Sequence, residues 1–134
     1  MFKYVHHVNY VVQNRDAMLD YLEKNFGMKP DHVAGNKKQN EAFYKIGQTQ
    51  LQILEPLDPT SDAGKYLAQH GPGVYHVAWG VENIRKLAQD LAAKGNKFRG
   101  NEGIPDNHRS HRGYLSASVD PASSLGLWFQ MIEE

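Results

Sequence analysis

The chain has no cysteine. Disulfides, thiolate zinc sites and a cysteine nucleophile are therefore excluded. Any metal must be held by histidine, carboxylate or amide oxygen, which removes the soft-ligand metals. The chain also lacks an excess of either charge: fifteen Lys and Arg balance fifteen Asp and Glu. A near-neutral chain has no global field to gather nucleic acid or an anionic membrane surface. Long hydrophobic runs are missing too, the longest being strand-sized, well below the roughly 20 residues of a membrane span. The opening segment MFKYVHHVNYVV has neither the apolar stretch nor the cleavage site of a signal peptide. A cytoplasmic protein with a small-molecule partner is the default expectation, and homodimerisation stays open. The 134 residues suit one domain able to bury a core without staples.

What is present is an internal repeat. Residues 7–14 read HVNYVVQN and residues 76–83 read HVAWGVEN, four of eight positions being identical across an offset of 69. A second echo follows in the same order, LQILE at 51–55 and FQMIE at 129–133. The spacing from His to Gln is 45 residues in the first half and 54 in the second. The nine extra residues fit a longer loop at 100–113. Two echoes in one order point to duplication.

Each half reads as βαβββ. Residues 4–12 are rich in Tyr, Val and His, as a strand requires. Met18, Leu19, Leu22 and Phe26 then recur at helical spacing over Arg15–Phe26, with Asn14 as N-cap and Gly27 as stop. Strands are expected at 30–34, 41–46 and 49–54. In the second half a strand at 74–80 precedes a helix from Asn83 to Lys94, and strands follow near 97–99, 114–119 and 126–132. The expected fold is α+β: module one at 4–56, a linker at 57–73 with a short helix near Gly64–His70, and module two at 74–133. Paired, two such modules would form a half-open barrel with helices outside and a pocket on the inner face.

His7, Gln52, His76 and Gln130 sit at repeat-related strand positions. Alternation puts Val5, His7, Asn9 and Val11 on one face of the first strand and Tyr4, His6, Val8 and Tyr10 on the other. Two imidazoles and two amide oxygens suit a divalent ion such as Zn, Ni, Co, Mn or Fe. A single strand histidine is more often a packed residue, and a buried Gln more often bonds backbone; the joint pattern leaves both readings open. Glu55 and Glu133 follow the Gln positions by three, which turns them to the opposite, solvated face.

The segments HVNYVV, QTQLQILEPL, GPGVYHVAWGV and LGLWFQMIE together resemble the vicinal oxygen chelate superfamily over nearly the whole chain, and within it the methylmalonyl-CoA epimerases and their glyoxalase-I-like relatives. The resemblance implies the paired βαβββ fold and a metal held by His7, Gln52, His76 and Gln130. The family's last ligand is a Glu, often given an acid–base role; Gln130 stands there, and an amide cannot take a proton at neutral pH. With four neutral ligands the ion would be weakly held. Glu41 resembles the family's other base, against the alternative of an exposed strand-end charge. The loop Asn101–Gly113 carries His108, Arg109, His111 and Arg112, and with Arg99 makes the densest basic patch. In the resembled family it lies near the pocket mouth, so Arg109, His111 and Arg112 are candidate substrate contacts through their charge. Two functions follow. One is a metal-dependent glyoxalase-like enzyme, an epimerase, isomerase or lyase of a small acyl-thioester or α-keto/hydroxy acid working through a metal-chelated enolate. The other is a metal-free binding protein of the bleomycin-resistance type. Dioxygenation is disfavoured, because Fe(II) sites usually need a carboxylate that Gln130 does not supply.

Overall fold

A computed structural model describes residues 1–99 and 113–134. The fold is α+β, and its elements follow the expected order. They are β1 (Phe2–Val11), α1 (Arg15–Phe26), β2 (His32–Gly35), β3 (Gln39–Ile46), β4 (Thr49–Pro56), α2 (Asp62–His70), β5 (Gly73–Val81), α3 (Ile84–Ala93), β6 (Leu115–Ser118) and β7 (Phe129–Glu133). The chain forms two compact units. One is His7–Tyr75; the other combines Met1–His6 with His76–Glu134. Among the described residues no helix is long and apolar enough to cross a membrane.

In the first unit β1 runs parallel to β4, β4 is antiparallel to β3, and β3 to β2. Helix α1 covers one face of these strands. There Val12, Ala42, Tyr44 and Ile53 are buried against Met18, Leu19, Leu22 and Met28. Phe26, which shares the helical spacing of these residues, lies instead at 65% exposure. Asn14 caps α1 as expected, its side chain accepting the Ala17 N–H at 2.9 Å. Gly27 ends it at φ 67°, a left-handed backbone that glycine adopts without a Cβ penalty.

The second unit has the same plan. Strand β7 is parallel to β5 and antiparallel to β6. Helix α3 packs on one face, where Val81, Ile84, Leu115, Ala117, Val119 and Met131 form the core with Leu87, Leu91, Phe98 and Phe129. Its second strand departs from expectation. Instead of a strand at 97–99 there is a single bridge, Phe98 to Val119, flanked by hydrogen bonds from Arg99 N–H to Ser118 O and from Asp120 N–H to Lys97 O. The Lys97 N–H goes to the Ser123 hydroxyl rather than to a strand. The last strand starts at Phe129 rather than near 126. Asp120 folds the chain back by accepting the Ala122 N–H, and Leu125 and Gly126 both have positive φ, which interrupts any extended run.

One expectation is overturned. Glu55 and Glu133 do lie on the helix side of their sheets, but they are half-buried and engaged rather than freely solvated. The Glu55 carboxylate accepts the backbone N–H of Arg15, and the Glu133 carboxylate that of Ile84, each at 2.8 Å. Arg15 and Ile84 are the first residues of α1 and α3. A helix start leaves its first N–H groups without intrahelical acceptors and carries partial positive charge. In α3 the carboxylate replaces the cap expected of Asn83, which has φ 51° and makes no side-chain cap bond. Glu55→Ala and Glu133→Ala should each lower stability by about 1 kcal/mol in urea denaturation, with the Gln variants retaining part of it. Equal stability of wild type and Ala variants would contradict the capping role.

Candidate functional site

Register decides which side chains share a face, because directly paired residues project to the same side. In the first unit Gln52 is paired with both Asn9 and Phe43, Leu54 with Val11 and Glu41, and Gln50 with His7 and Lys45. His7, Gln52 and Glu41 therefore share the face opposite α1. His7 is 6% exposed, while Gln52 and Glu41 are half-buried. Glu41 accepts a hydrogen bond from the Gln39 side-chain amide. Its environment is thus not that of a freely solvated strand-end charge.

The second unit repeats this face. Gln130 is paired with Ala78 and Ser118, and Ile132 with Gly80 and Ser116. His76 precedes Ala78 by two residues and so lies on the face opposite α3. Ser116 occupies the position that Glu41 holds in module one, so only module one offers a carboxylate there.

His76 and Gln130 meet directly: Nε2 of His76 lies 2.8 Å from Oε1 of Gln130. The Trp128 indole packs on the imidazole at 3.8 Å between centroids, and the Arg99 guanidinium lies over the Trp128 ring at 4.1 Å. His76 is 8% exposed. Burial, which penalises the imidazolium, lowers its pKa to about 4; the Gln130 hydrogen bond works against that shift, and the positive charge of Arg99 adds to it. The imidazole is neutral at pH 7, the form that can ligate a metal.

The residues present fit a divalent ion in part. Two donors about 2.1 Å from one ion at right angles stand roughly 3 Å apart. The His76–Gln130 separation matches that spacing, and it serves equally as a hydrogen bond from Nε2–H to Oε1. Among the described residues no three His, Asp or Glu side chains form a metal-holding group, so any ion would rely on amide oxygens.

Arg109, His111 and Arg112 lie outside the described residues. Sequence reasoning missed the Trp128–Arg99 stack, and gave no role to His6. His6 is 2% exposed, its Nε2 2.8 Å from a Glu134 carboxylate oxygen and its ring edge-on to Tyr114. An apolar cavity of about 340 Å³ is lined by Phe2, Leu87, Leu91, Phe129 and Met131. Phe129 and Met131 flank Gln130 but project to the α3 side, so this cavity is distinct from the His76 face.

Solved structures share this architecture. A variant of Streptomyces coelicolor methylmalonyl-CoA epimerase in complex with 2-nitronate-propionyl-CoA is 26% identical, with a TM-score of 0.83 over 100% of this chain and 96% of that one. A methylmalonyl-CoA epimerase in complex with methylmalonyl-CoA and NH4+ gives the same values. Among curated sequences, the uncharacterized protein YqjC of Bacillus subtilis is 30% identical over 56 residues, a match spanning 42% of this chain and 40% of that protein. The pattern that defines the Glyoxalase/Bleomycin resistance protein/Dioxygenase superfamily, the vicinal oxygen chelate fold, matches residues 6–114, and the chain belongs to that superfamily.

Proposed function

We propose that the protein is a metal-dependent glyoxalase-like enzyme, an epimerase, isomerase or lyase of a small acyl-thioester or α-keto/hydroxy acid that works through a stabilised enolate. The observation that carries this reading is the convergence of a buried, neutral His76 and Gln130 at 2.8 Å, with His7 and Gln52 on the equivalent face of module one. In this reading His7, Gln52, His76 and Gln130 are the donors for a divalent ion. When bound, the ion would polarise the substrate carbonyl as a Lewis acid. Glu41 removes the proton from the carbon beside that carbonyl, and with Gln130 in place of an acid it is the carboxylate base of the site. Arg109, His111 and Arg112 are proposed to hold the anionic end of the substrate.

Metal analysis of tag-free protein purified without chelator tests the ligand set, and isotope exchange tests the chemistry. Incubated with methylmalonyl-CoA in D2O, the wild type should wash deuterium into the α-carbon. Glu41→Gln should slow this at least about a hundredfold, the usual worth of a positioned base. The neutral amide at 130 favours the second reading, a metal-free binding protein. Absence of both retained metal and exchange would establish it over the first.

A further inference from the structure

The cavity of about 340 Å³ on the α3 side of module two has walls of one chemistry. Leu87 and Leu91, four residues apart on one face of α3, form the first wall. Phe2 and Phe129 form the second, their ring centroids 6.4 Å apart and their planes within 22° of parallel. Trp79 stacks on Phe2 at 4.7 Å and 6°, which holds that ring in place. Val119 and Met131, both buried, add to the lining.

No lining side chain is charged. The two polar ones are turned to backbone: the Asn96 amide donates to Leu91 O at 3.1 Å, and the Ser124 hydroxyl to Leu127 O at 2.6 Å. A buried water needs about two to four polar partners, which these walls do not offer. A charged guest would lose its hydration there without compensation. Size narrows the class further. An apolar cavity of about 150 Å³ takes benzene, so this one has room for roughly two fused rings. Ring contacts with Phe2 and Phe129, and the polarisable thioether of Met131, stabilise an aromatic guest beyond the area it buries.

We infer that this cavity is a second ligand site, for a neutral aromatic molecule of about two fused rings. The inference goes beyond the reading above, for it needs neither a metal nor an enolate. Alternation along β7 turns Phe129 and Met131 to the guest and Gln130 to the His76 face, so one strand serves both sites.

Naphthalene is the probe. Calorimetry should show one saturable site per chain. In protein labelled at the methyl groups of its four methionines, the Met131 NMR signal, assigned with Met131→Leu, should shift with the same Kd. Decalin, similar in size but without π-faces, should bind at least about threefold more weakly, and the anion 2-naphthoate at least about tenfold more weakly. Leu87→Phe with Leu91→Phe fills the space and should weaken naphthalene at least about tenfold. Phe129→Leu removes one ring and should weaken it at least about threefold, which carries the test if the double variant fails to fold. His76→Asn, on the opposite face, should leave the affinity unchanged. The inference is overturned by no saturable binding, by a Met131 signal that does not move on binding, or by decalin or 2-naphthoate binding as tightly as naphthalene. Unchanged affinity in Phe129→Leu, or lost binding in His76→Asn, overturns it too. Zn2+ titration separates the two readings. Naphthalene binding in a wild type that takes up no Zn2+ supports the second site and overturns the metal reading alone; Zn2+ uptake without naphthalene binding does the reverse.

Discussion

Gln130→Glu should tighten Zn2+ or Co2+ binding about a hundredfold in a direct titration at neutral pH. The amide offers only an oxygen dipole, whereas the carboxylate brings a full negative charge. At an effective dielectric constant of about 20, one unit-charge pair at 4 Å is worth about 4 kcal/mol, and the ion carries two charges. Part of that gain is lost because Arg99, one ring away through Trp128, attracts the same carboxylate. Arg99→Gln on top of Gln130→Glu should therefore tighten the metal further. The new carboxylate also supplies a proton acceptor that the amide lacks, so deuterium exchange into methylmalonyl-CoA should rise in the same variant. Unchanged affinity for divalent ions would remove Gln130 from the ligand set.

The repeat was legible because duplication leaves its mark in residue identities. From His7 and His76 at an offset of 69 follow the two βαβββ modules and the matching strand positions of Gln52 and Gln130. Helix α1 was read to the residue because Asn14 and Gly27 punctuate it with local chemistry. The start of α3 looked alike in sequence, Asn83 standing for Asn14, but the backbone there is left-handed and the cap comes from Glu133, 49 positions on. Such a long-range cap leaves no local pattern. The one available signal was that Glu55 and Glu133 recur three residues after the Gln positions, on the face where a helix start must lie.

The Arg99–Trp128 stack was hidden for a related reason. Neither residue repeats, and they are 29 positions apart in sequence. Their meeting depends on the Phe98–Val119 bridge and on the turn at 121–126, whose positive φ values at Leu125 and Gly126 no hydrophobic alternation announces. Alternation specifies faces; it does not specify which side chains touch across a loop.

The stability of the chelated, metal-free protein should fall as pH drops from about 6.5 to about 4, and His76 should account for about 3 kcal/mol of the loss. The unfolded chain presents an ordinary imidazole, with a pKa near 6.5. In the folded protein burial holds His76 down to about 4. Above pH 6.5 both states are neutral and the residue adds no pH dependence. Between 6.5 and 4 the unfolded state takes up a proton that the folded state refuses, so unfolding is favoured progressively. Below 4 both are protonated and the contribution levels off. Carboxylates titrate over the lower part of this window, so the reading must be a difference: urea midpoints for wild type and His76→Asn at each pH. The variant removes the imidazole while keeping a polar group beside Gln130. Its stability should decline less steeply from pH 6.5 to 4, and the gap between the two curves should narrow by about 3 kcal/mol at most. Added Zn2+ should steepen the wild-type curve, because a ligating imidazole must shed its proton and the bound ion holds the folded pKa lower still. Parallel curves for wild type and variant would show that His76 accepts its proton in the folded state without penalty, which its burial against Trp128 does not allow.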